Sequence, residues 1–116
     1  MQRVYITLQG DNKIAIHNLN SETGNLTHQE DISTPGGPAP FAVSPDNKRA
    51  YIGLREVNKM ASFDIDSTSG ALKPIGTVNL ESDPCYVSVD NTGRHLLSAY
   101  YAAGHIAVHP IDEHGA

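Results

Sequence analysis

Short apolar runs alternate along the chain with clusters of Gly, Pro, Asn, Asp and Ser, and no stretch of 11 or more residues keeps an apolar stripe at helical spacing uninterrupted. This pattern predicts strands. In the central part of the chain they fall at 41–45 (FAVSP), 50–55 (AYIGLR), 59–65 (KMASFDI) and 71–80 (ALKPIGTVNL). The breaks have turn chemistry: Asp90-Asn91-Thr92-Gly93 offers an Asp to start a tight turn and a Gly for positive φ, and Ser67-Thr68-Ser69-Gly70 repeats it. The third strands, such as Ile14-Ala15-Ile16 and Ile106-Ala107-Val108, are apolar on both faces. A sheet packed between two neighbours requires that, whereas a sandwich with one wet face does not.

The same units return at a fixed interval. Residues 5–27 (YITLQGDNKIAIHNLNSETGNLT) match residues 51–73 (YIGLREVNKMASFDIDSTSGALK) without a gap at an offset of 46. Tyr5 falls on Tyr51, Leu8 on Leu54, Asn12-Lys13 on Asn58-Lys59 and Gly24 on Gly70. A third copy begins late: Phe41 to Asn47 parallels Cys85 to Asn91 at an offset of 44, and Lys59-Met60-Ala61 then meets His105-Ile106-Ala107. A repeat of this length with four short strands per copy is the blade of a β-propeller. The expectation is an all-β fold with about two and a half four-stranded antiparallel blades. Residues 1–35 form a first blade lacking its innermost strand, 36–81 a second, and 82–116 an incomplete third. Seven such repeats would make a protein of about 320 residues, and an open series would need another segment to supply the first blade's inner strand.

Composition narrows the function classes. Hydrophobic residues make up 39%, charged residues 18%, and there is no Trp. The formal charge is −5 and the eight Lys and Arg are scattered, which argues against nucleic acid as a partner. No apolar run approaches the roughly 18 residues of a membrane span, and no apolar signal core follows Met1, so no membrane partner is expected and the cytoplasm is the default. A single cysteine, Cys85, has no partner for a disulfide and fits no zinc spacing. Because it stands in the place of Phe41 at the 44-residue offset, an inert buried thiol is expected there.

Strand direction alternates within a blade, so the loop between the second and third strands shares a rim with the segment leading into the next blade. That rim should carry Arg55-Glu56-Val57-Asn58, Tyr100-Tyr101-Ala102-Ala103-Gly104-His105 and the lead-in segments 35–40 and 81–84. Arg55, Tyr100, Tyr101 and His105 are the candidate substrate-binding residues: a guanidinium can hold a carboxylate or phosphate in a fork, and a tyrosine can hydrogen-bond at a channel mouth. Arg55 can equally pair with Glu56, and the tyrosines can equally pack between blades. His105 and His109 would lie roughly 13 Å apart on a strand, too far for a metal pair. His17, His28, His95 and His114 lack ligand spacing, Asp64 and Asp66 read as solvated hairpin residues, and neither a metal nor a cofactor is expected.

The segments PGGPAPFAVSPDNKRAYIGLR, SGAL and DPCYVSVDNTGRHLLSAYYAAGHIAVHPID resemble the propeller-type 6-phosphogluconolactonases over essentially the whole chain. The sharpest parts are Ser98-Ala99-Tyr100-Tyr101, Gly104 to Val108 and the Pro-Gly-Gly-Pro-Ala-Pro segment at 35–40. The resemblance implies a seven-bladed, cytosolic, metal-independent and monomeric hydrolase that opens 6-phosphoglucono-δ-lactone. It also brings in the related carboxymuconate cyclases, which work a lactone in the opposite direction. Catalytic residues are expected beyond residue 116, so none is assigned, and the 116 residues alone are expected to be inactive. A non-catalytic propeller that binds a partner on its rim remains the alternative.

Overall fold

The computed structural model describes residues 2–112. Among the described residues ten strands form three antiparallel sheets, in chain order. Sheet one contains β1 (Gln2–Leu8), β2 (Lys13–Leu19) and β3 (Leu26–Ser33). Sheet two contains β4 (Pro38–Val43), β5 (Arg49–Leu54), β6 (Lys59–Ile65) and β7 (Leu72–Asn79), and sheet three β8 (Tyr86–Val89), β9 (His95–Tyr100) and β10 (His105–Pro110). Within each sheet, every strand pairs with its neighbour in sequence. β4 lies against both β1 and β8, so the sheets stack on one another as successive propeller blades instead of merging into one continuous sheet.

The strands form where the apolar runs placed them, with two local departures. β4 starts at Pro38, earlier than Phe41, because an edge strand tolerates proline's missing N–H; the pairing is irregular between Pro38 and Phe41. The β1–β2 connection contains a short 3-10 turn, Gln9–Asp11, that the alternation does not reveal.

Side-chain alternation on the central sheet explains how the stack holds. On β5, Ala50, Ile52 and Leu54 face sheet one and join Ile14, Ala61, Phe63 and Leu72 in one core, with Tyr5 and Phe41 at its margin. Tyr51 points the other way and packs with Met60, Val87 and Leu96 between sheets two and three. Ile14 and Ile52 are fully buried, and each contributes roughly 1.5–3 kcal/mol by leaving water. Hydrogen bonds lace sheets one and two: Tyr5 donates its hydroxyl to the Gly70 carbonyl at 2.6 Å, Gln29 its amide to Ser69 at 2.8 Å, and Thr7 its hydroxyl to Ala39 at 2.8 Å. Gly53 marks a close approach, since a Cβ there would lie 2.6 Å from the rings of both Pro40 and Pro84.

The repeat is visible in the backbone as well. Left-handed residues recur at Asn12, Asn58 and Gly104, at Gly24 and Gly70, and at Asn47 and Gly93, every pair separated by 46 positions. The offset of 44 at the start of the third copy is therefore corrected to 46. Val87 pairs with Ser98 as Phe41 pairs with Ile52, so Val87 is the residue in Phe41's place. Cys85, two residues earlier, is exposed, with its thiol 3.4 Å from the Ala99 carbonyl, and the expected buried thiol is not found.

Candidate functional site

The rim is built on two glycines. Gly36 and Gly37 adopt φ of 105° and 77°, which turns their carbonyls to accept from Glu56 N–H and Arg55 N–H, both at 2.9 Å. Gly37 N–H in turn donates to the Asn12 side chain at 3.0 Å, tying the first rim loop to the second sheet. A side chain at residue 37 would collide with Glu56, which occupies that space.

Arg55, held by its own backbone in this frame, reaches across to the next lead-in segment and donates to Asp83 at 2.7 Å. Glu56 is not its partner. The guanidinium beside Asp83 holds that carboxyl below the usual carboxylate range, against a smaller opposing effect of burial. Arg55 Nε is buried and makes no hydrogen bond among the described residues.

Tyr100 and His105 come together at the start of the third rim loop, their rings stacked 4.7 Å apart at 28°. The His105 Nε2 lies 3.4 Å from a Glu81 carboxylate oxygen, so one lead-in segment, 81–84, supplies an acid to His105 and another to Arg55. Tyr100 is buried at 3% exposed, whereas Tyr101 is 87% exposed. Glu81, Tyr100, His105 and His109 line one side of a cleft of about 310 Å³ between sheets two and three.

Beneath Tyr100 lies a network that strand patterning does not reveal. The Ser98 hydroxyl, 2% exposed, donates to the Tyr100 hydroxyl at 2.7 Å and accepts from His109 Nε2 at 3.0 Å. In the preceding repeat the corresponding positions are Ile52, Leu54 and Phe63, all apolar and all buried. The signal was present in the 46-residue alignment as a replacement of three core hydrophobes by three hydrogen-bonding residues. Elsewhere, Asp64 pairs with Arg49 at 2.9 Å and Asp66 accepts from Thr68 and Ser69 N–H, which fits solvated hairpin ends. His17 and His28 contact edge to face at 5.2 Å, and His114 lies outside the described residues. Among the described residues no group of three His, Cys, Asp or Glu is placed to hold a metal, and no helix is long and apolar enough to cross a membrane.

Antiparallel sheets stacked in chain order, with a charged, glycine-built rim, define part of a β-propeller. Residues 3–116 match the family of seven-bladed β-propeller lactonases, and the chain belongs to that family. It is 34% identical over 114 residues to the 6-phosphogluconolactonase of Pectobacterium atrosepticum and 32% identical to that of Xenorhabdus nematophila, covering 98% of this chain in both cases. The chain spans about a third of the length of these relatives, 34% in both. Among solved structures it superposes on a Lactobacillus plantarum protein with a TM-score of 0.89 at 21% identity, covering 99% of this chain and 36% of that one. It also superposes on the periplasmic gluconolactonase of Pseudomonas aeruginosa with a TM-score of 0.84 at 20% identity, covering 97% and 33%.

Proposed function

We propose that these residues form part of a carboxylic ester hydrolase that opens 6-phosphoglucono-δ-lactone to 6-phosphogluconate. The observation that carries this reading is the 34% identity, spread over nearly the whole chain, to an enzyme of that name. In the reaction, water adds to the lactone carbonyl, the ring C–O bond breaks, one of the water's protons goes to the ring oxygen and the other is released to solvent, and a carboxylate is left. An anionic substrate of this kind needs a cation to hold it and a group to carry the proton. Arg55 is the rim cation suited to the first role, and the His105–Glu81 pair suits movement of a proton. Tyr100 positions His105 through ring stacking, and Tyr101 is available to a ligand from solvent.

In this reading the substrate is a small sugar-phosphate lactone, the reaction requires no cofactor, and the complete enzyme works in the cytoplasm as a monomer. Turnover belongs to the whole propeller, so the 116-residue chain alone is inactive. The test is a chimaera in which residues 1–116 replace the matched third of the P. atrosepticum enzyme. Lactone hydrolysis should persist in it, and Arg55→Ala should weaken substrate binding by about tenfold or more, the scale of one charge-assisted contact. A chimaera that folds without activity would count against the lactonase reading. A chimaera indifferent to Arg55→Ala would remove Arg55 from the site.

A further inference from the structure

The network of Ser98, Tyr100 and His109 is a poor device for stability. At the same places in the preceding repeat Ile52, Leu54 and Phe63 close the core without a polar side-chain atom. A hydroxyl, a phenol and an imidazole in their stead must all find partners merely to do no worse. What the polar set adds is a fixed direction, and its path can be followed atom by atom between β9 and β10.

Tyr100 is held at two points. Its hydroxyl accepts from Ser98 at 2.7 Å, and its ring stacks on His105 with centroids 4.7 Å and planes 28° apart. A phenol tethered at its far end cannot turn about its side-chain torsions, so the plane of the ring is set. An imidazole stacked on that plane keeps its own, and with it the approach of Nε2 to the Glu81 carboxylate at 3.4 Å. Ser98 alone could rotate its proton away. His109 Nε2 donates to the Ser98 oxygen at 3.0 Å, which leaves the hydroxyl proton to point at Tyr100. Tyr100 and His105 face each other across the strand pair, and His105 and His109 lie on the half-buried side of β10, against the cleft that Glu81 also lines.

We propose that Ser98 and His109 are positioning residues: through the Tyr100 hydroxyl they fix the plane of the His105 ring and its alignment with Glu81. Their effect on turnover rests on the reading of His105 and Glu81 as the pair that moves a proton; their effect on the ring does not. The titratable groups that face His105 are Tyr100 from β9 and Glu81 from the lead-in segment, with His109 further along its own strand in the same cleft.

Tyr100→Phe keeps the stacking ring and removes only the tether. In the whole propeller carrying isotope-labelled histidine, the His105 ring resonances, displaced by the current of the tyrosine ring, should move toward those of an unstacked imidazole. The kcat for lactone hydrolysis should fall by about tenfold with KM unchanged, as for a misaligned reacting group. Ser98→Ala and His109→Phe should act in the same direction, and Ser98→Thr, which returns a hydroxyl to that place, should recover both readouts. Combining Ser98→Ala with Tyr100→Phe leaves neither hydroxyl of the pair without its partner, yet the resonances should still move, which separates alignment from stability. Resonances that stay in place in Tyr100→Phe, or in His109→Phe, overturn the proposal. Resonances that move while kcat is constant uphold it and remove His105 from the proton transfer instead.

Discussion

Removing the Ser98 hydroxyl is the sharpest probe of the buried network between sheets two and three. Ser98→Ala deletes a donor to Tyr100 at 2.7 Å and an acceptor for His109 at 3.0 Å, in a site that is 2% exposed. Each lost hydrogen bond removes about 1 kcal/mol net, and a buried hydroxyl left without its partner costs about 1–3 kcal/mol. His109 is only half-buried, so water can replace part of its loss. The balance is a destabilisation of about 2 kcal/mol, read as a lowered midpoint with unchanged slope in urea denaturation. Replacing the whole network by the residues of the preceding repeat, Ser98→Ile, Tyr100→Leu and His109→Phe, should recover most of that loss, because no polar group is then left unpaired. A Ser98→Ala midpoint within error of the parent, or a triple variant less stable than the single one, would refute the reasoning.

Three further outcomes follow from the packing and the turns. Gly53→Val forces a side chain against the rigid rings of Pro40 and Pro84 and should destabilise by about 1–3 kcal/mol in the same denaturation assay. Asp90 is held at about 2: desolvation works against ionisation but is outweighed by hydrogen bonds from the His95 and Thr92 side chains and from the backbone of His95 and Arg94. A depressed carboxyl stabilises the fold above its unfolded value of about 3.9 and loses that contribution as pH falls toward 2. The denaturation midpoint should therefore drop between about pH 4 and pH 2, and less steeply in Asp90→Asn. Cys85, being exposed, should react fully with a thiol reagent in the absence of denaturant; protection until unfolding would contradict its position.

The repeat, its strands and its tight turns were legible because each rests on local chemistry: β-branched and aromatic runs for strands, Gly or Asn where φ must be positive. The two-residue slip in the third copy has a specific cause. At the β4–β5 turn Ser44 donates its hydroxyl to Asp46 at 2.6 Å, and at the β8–β9 turn Thr92 donates to Asp90 at 2.9 Å. Acid and hydroxyl have exchanged places across the same turn. Arg49 N–H accordingly donates to Ser44 in one and His95 N–H to Asp90 in the other. Matching Asp46-Asn47 to Asp90-Asn91 by identity followed the letters and missed the geometry. Candidate site residues were legible as positions on a rim, but their partners were not. Arg55 pairs with Asp83, while the side chain of its neighbour Glu56 lies in the space left free at Gly37, a packing detail with no linear signature.

The three rim loops differ in how firmly they are fastened. In the first, Asn12 supplies both the left-handed backbone and a side-chain acceptor for the next sheet; in the third, Gly104 supplies the backbone alone. Residues 101–104 are all exposed, so lengthening or exchanging this loop would disturb neither a core residue nor a clasp between sheets. Diversification of what the rim can grip is accordingly cheapest at the third loop, and an engineer grafting a new recognition segment should cut there.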